Sequence, residues 1–342
     1  MSTTSYIPAA SAPLGQESNL VNSPSVGYQI TICNAICAVF IGLVVGLKIY
    51  TECHITRSVG CDDFFAFLSA ALWACNCVVM QVSINYGLGR HIWNVAISDF
   101  SPRFMRLWFI YALIYTGVMF SAKLSILLFY RSLFALNISI PRWTVVIVFV
   151  VGDSVLRFIV HVLQCIPVSA YWDFTITNAH CIDRGSYYVS IAVLNVVGDV
   201  LILSLPLPIL WRLRIGRFQK IKISIIFILG SSTCLVSILR IRPILLYKRQ
   251  GTNDLTFYLV ELGIWTQVET AIGVICACVI KLGPLLKHCS KFFFRIWNIN
   301  DRDGIAPRGL YYLGSLPLEQ YSQDITQHLN REDLELSISD SS

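Results

Sequence analysis

The sequence predicts an all-α membrane protein, a polytopic transmembrane bundle of seven helices with its N-terminus outside. Three observations carry that prediction. First, 55% of the residues are hydrophobic and only 13% are charged, where a soluble domain carries roughly 25% charged residues. Second, the apolar residues gather in long runs, and the mean hydropathy is +0.64. No ordinary soluble fold hides that much apolar surface, whereas a bilayer accepts it. Third, the basic residues collect at alternate ends of these runs, as the positive-inside rule requires.

Residues 1–25 read as a disordered extracytoplasmic tail. They hold no Lys or Arg and many Ser, Ala, Pro and Thr. A secretory signal needs a basic start and an apolar core, so the first span is expected to act as the insertion signal. Residues 26–290 hold the seven-helix domain. Its spans run over Val26–Tyr50, Phe64–Asn85, Phe104–Phe129, Trp143–Cys165, Tyr187–Trp211, Ile221–Leu245 and Phe257–Ile280, each near the roughly 20 residues that a helix needs to cross hydrocarbon. Asp62 and Asp63 open the second helix, where carboxylates cap free N–H groups and meet the positive end of the dipole. Pro206 and Pro208 are expected to kink the fifth. Tyr and Trp at several span ends, among them Tyr50, Trp143 and Tyr187, suit the headgroup level. Residues 291–342 read as a polar cytoplasmic tail.

Thirteen basic residues near span ends fall on one side, among them Lys48, Arg131, Arg212 and Lys281, and six fall on the other, among them Arg90 and Arg184. The richer side is read as cytoplasmic, and the localisation as a multi-pass protein of the plasma membrane. One observation opposes this. The sequon Asn137-Ile138-Ser139 lies in a loop on the same basic side, where glycosylation does not reach.

The net charge of +6 suits this topology better than nucleic-acid binding, and no nucleic-acid partner is expected. Twelve cysteines are present, and ten lie in or beside apolar runs, where they act as small hydrophobes. No zinc-type spacing appears, so no metal is expected. Cys165 and Cys181 lie near the predicted outer face, where the redox state permits a disulfide. Two free thiols are the alternative. The third span lacks cysteine, so it cannot bridge to this loop.

Ionisable side chains inside a span are costly and invite a functional reading. Lys123, Asp153, Arg157, Asp199, Arg240, Glu261 and Glu269 are such residues. Asp153 and Arg157 stand four apart and can neutralise each other on one helix face. Glu261 and Glu269 are eight apart, within about 80° around their helix, and can share an interior face. Lys123 and Arg240 are candidate partners for the acids. The alternative for each is a pair that only packs helices together. There is no assembled nucleophile, base or metal set, so no enzyme is expected. Retinal would need a lysine near the middle of the last span, but Lys281 falls at its inner end, and no cofactor is expected.

Several segments together carry a likeness. They are Gly60-Cys61-Asp62-Asp63-Phe64, Tyr86-Gly87-Leu88-Gly89-Arg90-His91-Ile92-Trp93, and Lys123 through Arg131. Cys165-Ile166-Pro167 with Trp172-Asp173 and Cys181 follow. Further along come Asp199 with Pro206-Leu207-Pro208, then Ser237-Ile238 with Arg240, and Trp265 with Glu269 and Ala277-Cys278. In this order they resemble the fungal rhodopsin-domain family of seven-helix, receptor-like membrane proteins, over roughly Gly27 to Leu286. The proline that usually follows the alanine–cysteine pair is absent, and the chain reads Val279-Ile280-Lys281 there.

The resemblance implies either a surface receptor or a membrane component of a secondary-metabolite pathway. In the receptor reading, an unknown small-molecule ligand enters through the outer loops. The interior charges then relay a shift to a basic coupling loop, Arg212, Arg214, Arg217, Lys220 and Lys222, that meets a G protein or another acidic cytoplasmic partner. A transporter or channel for a small metabolite is the alternative, with Asp199, Glu261 and Glu269 as proton or substrate sites.

Overall fold

The computed structural model describes residues 7–12, 18–19, 23–57, 60–133, 140–176, 178–206, 217–250, 254–283 and 285. Eight α-helices span these residues: α1 (Tyr28–Tyr50), α2 (Cys61–Asn85), α3 (Met105–Leu133), α4 (Ile140–Val162), α5 (Arg184–Ser204), α6 (Arg217–Leu239), α7 (Ile241–Gln250) and α8 (Leu255–Val279). They supply seven spans that are long and apolar enough to cross a membrane, with α6 and α7 sharing one, Phe227–Leu245.

The layout follows from which faces are apolar all round. In α1, only 17% of the central residues are buried, and Ile32, Ile36, Val39, Phe40 and Leu43 point away from the bundle. In α3 and α8 the buried shares are 56% and 67%. An exposed surface of Ile, Val and Phe is stable only against lipid, so α1 and α4 are peripheral while α3 and α8 form the centre. One core cluster holds Trp73, Val118, Leu127, Val150, Ala271 and Val274. A second, nearer the N-terminal end of the bundle, holds Ile30, Met80, Trp93, Phe104, Trp108 and Leu259.

Helix ends follow local chemistry. The backbone N–H of Gly60 donates to Asp63 Oδ2 at 2.8 Å, which starts α2 at Cys61. The tight turn after α2 uses Gly87 and Gly89 at φ of +106° and +89°. A Cβ on Gly89 would lie 2.6 Å from the Gly27 backbone nitrogen, so this loop and the start of α1 approach more closely than a side chain permits. Asp183 caps α5, its carboxylate accepting from the N–H groups of Gly185 and Ser186.

The fifth helix is described from Arg184 to Ser204, and the chain beyond Pro206, where the expected kink would show, lies outside the described residues. One span differs from expectation. The sixth span is not one helix. It breaks at Arg240, between α6 and α7. Pro243 is the cause, since its ring conflicts with the carbonyl four residues back, at Leu239, the last residue of α6. Arg217, Lys220 and Lys222, expected in a loop, lie on the first turns of α6, while Arg212, Arg214 and the sequon at Asn137 lie outside the described residues.

Candidate functional site

The break at Arg240 turns its guanidinium into the middle of the bundle, where it is 3% exposed. Nη1 donates to Glu269 Oε2 of α8 at 2.6 Å and to the Tyr115 hydroxyl of α3 at 2.5 Å. The other oxygen of Glu269 accepts from Asn195 Nδ2 of α5 at 2.6 Å and from the Ser237 hydroxyl of α6. Asn195 continues the chain, its Oδ1 accepting from Lys123 Nζ at 2.8 Å. Lys123 then pairs with Asp199 Oδ1 at 2.9 Å, one turn along α5 from Asn195. Glu269 and Ser237 are 0% exposed and Asn195 1%.

This network holds two acids and two bases, so its formal charge is zero. Each charge meets its partner directly, which is the condition for ions to stand in a low-dielectric interior. It ties α3, α5, the end of α6 and α8 together in the middle of the bundle. Among the described residues, Asp199 Oδ2 and Arg240 Nε have no hydrogen-bond partner.

Two cavities border the network. One lies towards the N-terminal end and is lined by Trp108, Tyr111, Tyr115, His161, Tyr187, Tyr188, Arg240 and Thr266 among others. The second lies towards the opposite end and is lined by Lys123, Asp199, Tyr130, Ile202, Gly230 and Cys276 among others. The chain from Arg240 through Glu269 and Asn195 to Lys123 thus runs between them.

The remaining sequence candidates fall elsewhere. Asp153 and Arg157 pair with each other at 2.6 Å on α4, and the Arg157 carbonyl accepts from the Tyr187 hydroxyl. Glu261 is half-buried on α8 and stands apart from the network. A second ionic cluster sits at the far end of the bundle. Lys48 meets Asp63 at 2.6 Å and Glu52 at 2.7 Å, and Lys281 meets Asp63 at 2.6 Å and Asp62 at 2.7 Å. Asp63 therefore both caps α2 and joins α1 to the end of α8. Among the described residues, no group of His, Cys, Asp and Glu side chains stands together to hold a metal ion.

At the N-terminal end, Cys165 and Cys181 are joined by a disulfide and face each other across the short strands β1 (Cys165–Ile166) and β2 (His180–Cys181). The bridged loop packs Tyr171 and Trp172 against Phe109 of α3. Burial pushes the Tyr171 hydroxyl well above its ordinary range, so it stays protonated. Arg184 lies over the Tyr171 ring at 4.8 Å. Nearby, His91 stacks between Trp93 and Phe257, and its Nδ1 meets Asp254 Oδ2 at 2.6 Å.

Tyr115 and Asn195 are site residues that sequence reasoning passed over, and Ser237 entered only as part of the family likeness. A signal existed for Asn195, an amide in mid-span four residues before Asp199 and so on the same helix face. Tyr115 is a common span residue, and nothing in its spacing marks it.

Comparison with known proteins agrees with this architecture. A protein of Gibberella zeae named fugralins biosynthesis cluster protein 2 is 27% identical over 297 residues, 82% of this chain and 71% of its own. A SAT4 family membrane protein of Emericella nidulans is 30% identical over 230 residues, 65% of this chain and 56% of its own. Receptor GIN3 of Arthrobotrys oligospora is 22% identical over 262 residues, 73% of this chain and 60% of its own. No solved structure matches. The fungal rhodopsin domain profile matches residues 47–288, which takes in every span after the first and all of the buried network. The chain belongs to the fungal rhodopsin domain family.

Proposed function

We propose that this membrane protein is a receptor-like sensor in which a small molecule entering from the N-terminal end reorganises the buried network. The single observation that carries this reading is the placement of Arg240, Glu269, Asn195 and Lys123 between two cavities. A ligand that contacts Arg240 or Tyr115 in the upper cavity changes the same bonds that hold α5 and α6 against α8. Both of those helices lead towards the basic segment around Arg212–Lys222. A ligand that made these charges exchange partners would turn the network into a bistable element of the kind that signal transmission requires.

The relatives support a link to secondary metabolism and to reception. One is named for a biosynthesis cluster and one is named a receptor. In this reading the N-terminus faces outward, the host membrane is the plasma membrane, and the basic segment meets an acidic cytoplasmic surface such as a G protein. The protein transmits a state and catalyses no reaction.

The test is guanine-nucleotide exchange in membranes of the source fungus. Glu269→Gln removes the charge that holds Arg240 and is expected to raise basal exchange. Reversing the charges of Arg214, Arg217, Lys220 and Lys222 together is expected to abolish exchange while the protein still inserts. Exchange unaffected by both changes would remove the G-protein reading. A small-metabolite transporter is the second reading, favoured by the two cavities lying in series. It requires flux in reconstituted vesicles that Asp199→Asn abolishes, and a sensor gives none.

A further inference from the structure

Beside the upper cavity, towards the N-terminal end, lies a small outer chamber that shares part of its wall. Trp108, Tyr188, Ile244 and Leu262 line both spaces. Trp108 Nε1 donates to the Tyr188 hydroxyl at 3.2 Å and marks the waist between them. The two spaces adjoin, and their walls are mostly aromatic and aliphatic.

Their charges are uneven. Neither chamber is lined by an Asp or a Glu. At the deep end, Arg240 is neutralised by Glu269. At the outer end, Arg184 lines the chamber and has no carboxylate within ion-pair distance among the described residues. Its one hydrogen bond goes from Nη2 to the Tyr171 carbonyl at 3.3 Å, and the Tyr171 ring lies beneath it. A guanidinium carries five N–H donors in a rigid fork suited to a carboxylate. Held in place by Tyr171, it keeps most of those donors for another group.

We infer that the paired chambers bind an unsaturated monocarboxylic acid, with its carboxylate on Arg184 and its apolar body running past Trp108 and Tyr188 towards Arg240. Opposite charge selects the head. A cationic ligand would meet no acid, and a neutral one would leave Arg184 covered without an anion. The aromatic walls select the body, because a planar conjugated chain packs on ring faces as well as filling apolar space. The inference deepens the sensor reading by naming the ligand class of the same site, and it rests on that reading only for its consequence, not for binding.

The experiment uses the full chain in phosphatidylcholine nanodiscs with parinaric acid, a conjugated polyene acid that accepts energy from tryptophan. Saturable transfer is expected for the acid, and binding about tenfold or more weaker for its methyl ester, the loss expected from one charge-assisted hydrogen bond. Arg184→Gln should weaken the acid by a similar factor and leave the ester unchanged. Arg184→Lys should retain the acid. Arg106→Gln removes a cation that stacks on Trp172 and lines neither chamber, and it should change nothing. Equal binding of acid and ester, or undiminished acid binding by folded Arg184→Gln, would overturn the proposal. Should Arg184→Gln not fold, the ester comparison decides alone. Since the disc holds no cytoplasmic partner, binding without any coupling in fungal membranes would sink the sensor reading and leave this site standing.

Discussion

The side chains that matter most here are expensive ones. Lys123 and Asp199 are 8% and 6% exposed, and they stand as an ion pair at 2.9 Å. Removing one partner leaves an ion with no compensation, at a cost of about 3–5 kcal/mol for a buried pair. Lys123→Met should therefore lower the melting temperature strongly in detergent. Lys123→Met with Asp199→Leu should recover most of that loss, because two apolar side chains of similar size need no partner. If the double variant is no more stable than the single one, the pair is not what holds these positions. Asn195 behaves differently, since it carries no charge and links both ion pairs. The sequence revealed the four charges, because any ion in an apolar run stands out. It left open who pairs with whom, since that depends on the rotation of four helices about their own axes.

Breaks and staples decide how the elements perform. Pro243 ends α6 at Leu239 and releases Arg240 from regular helix, which lets its guanidinium reach both α3 and α8. The expectation of one continuous sixth span took no account of Pro243, whose ring and missing N–H break the helix there. The expected kink of the fifth helix at Pro206 and Pro208 lies at the edge of the described residues, which end at 206. At the N-terminal end, the disulfide closes a loop with a sequence separation of 16. Closing a loop of that length is expected to stabilise by about 3 kcal/mol in the chain-entropy account. Cys165→Ser with Cys181→Ser should lower the melting temperature accordingly and free Tyr171 and Trp172 from Phe109. An unchanged melting temperature would mean that aromatic packing alone holds this loop.

For the molecule as a whole, seven spans were legible because the hydropathy contrast is steep and each run has the length of a bilayer. What was not legible is the vertical order. A cluster of Lys48, Asp63 and Lys281 joins α1, α2 and the end of α8 at one pole. The Arg240 and Lys123 network crosses the middle, and aromatic chambers fill the other pole. Those levels arise from contacts between residues as far apart in sequence as 218 positions, which no local pattern encodes.

The central claim is that the network joins the chambers to the far ends of α5 and α6. Hydrogen–deuterium exchange of the full chain in nanodiscs tests it most directly, comparing the native protein with Glu269→Gln. The account predicts faster exchange at the end of α5 near Ser204 and in the first turns of α6 near Arg217, many residues from the substitution. Exchange that changes only around Ser237–Arg240 and residue 269, with the far ends as protected as before, would contradict it.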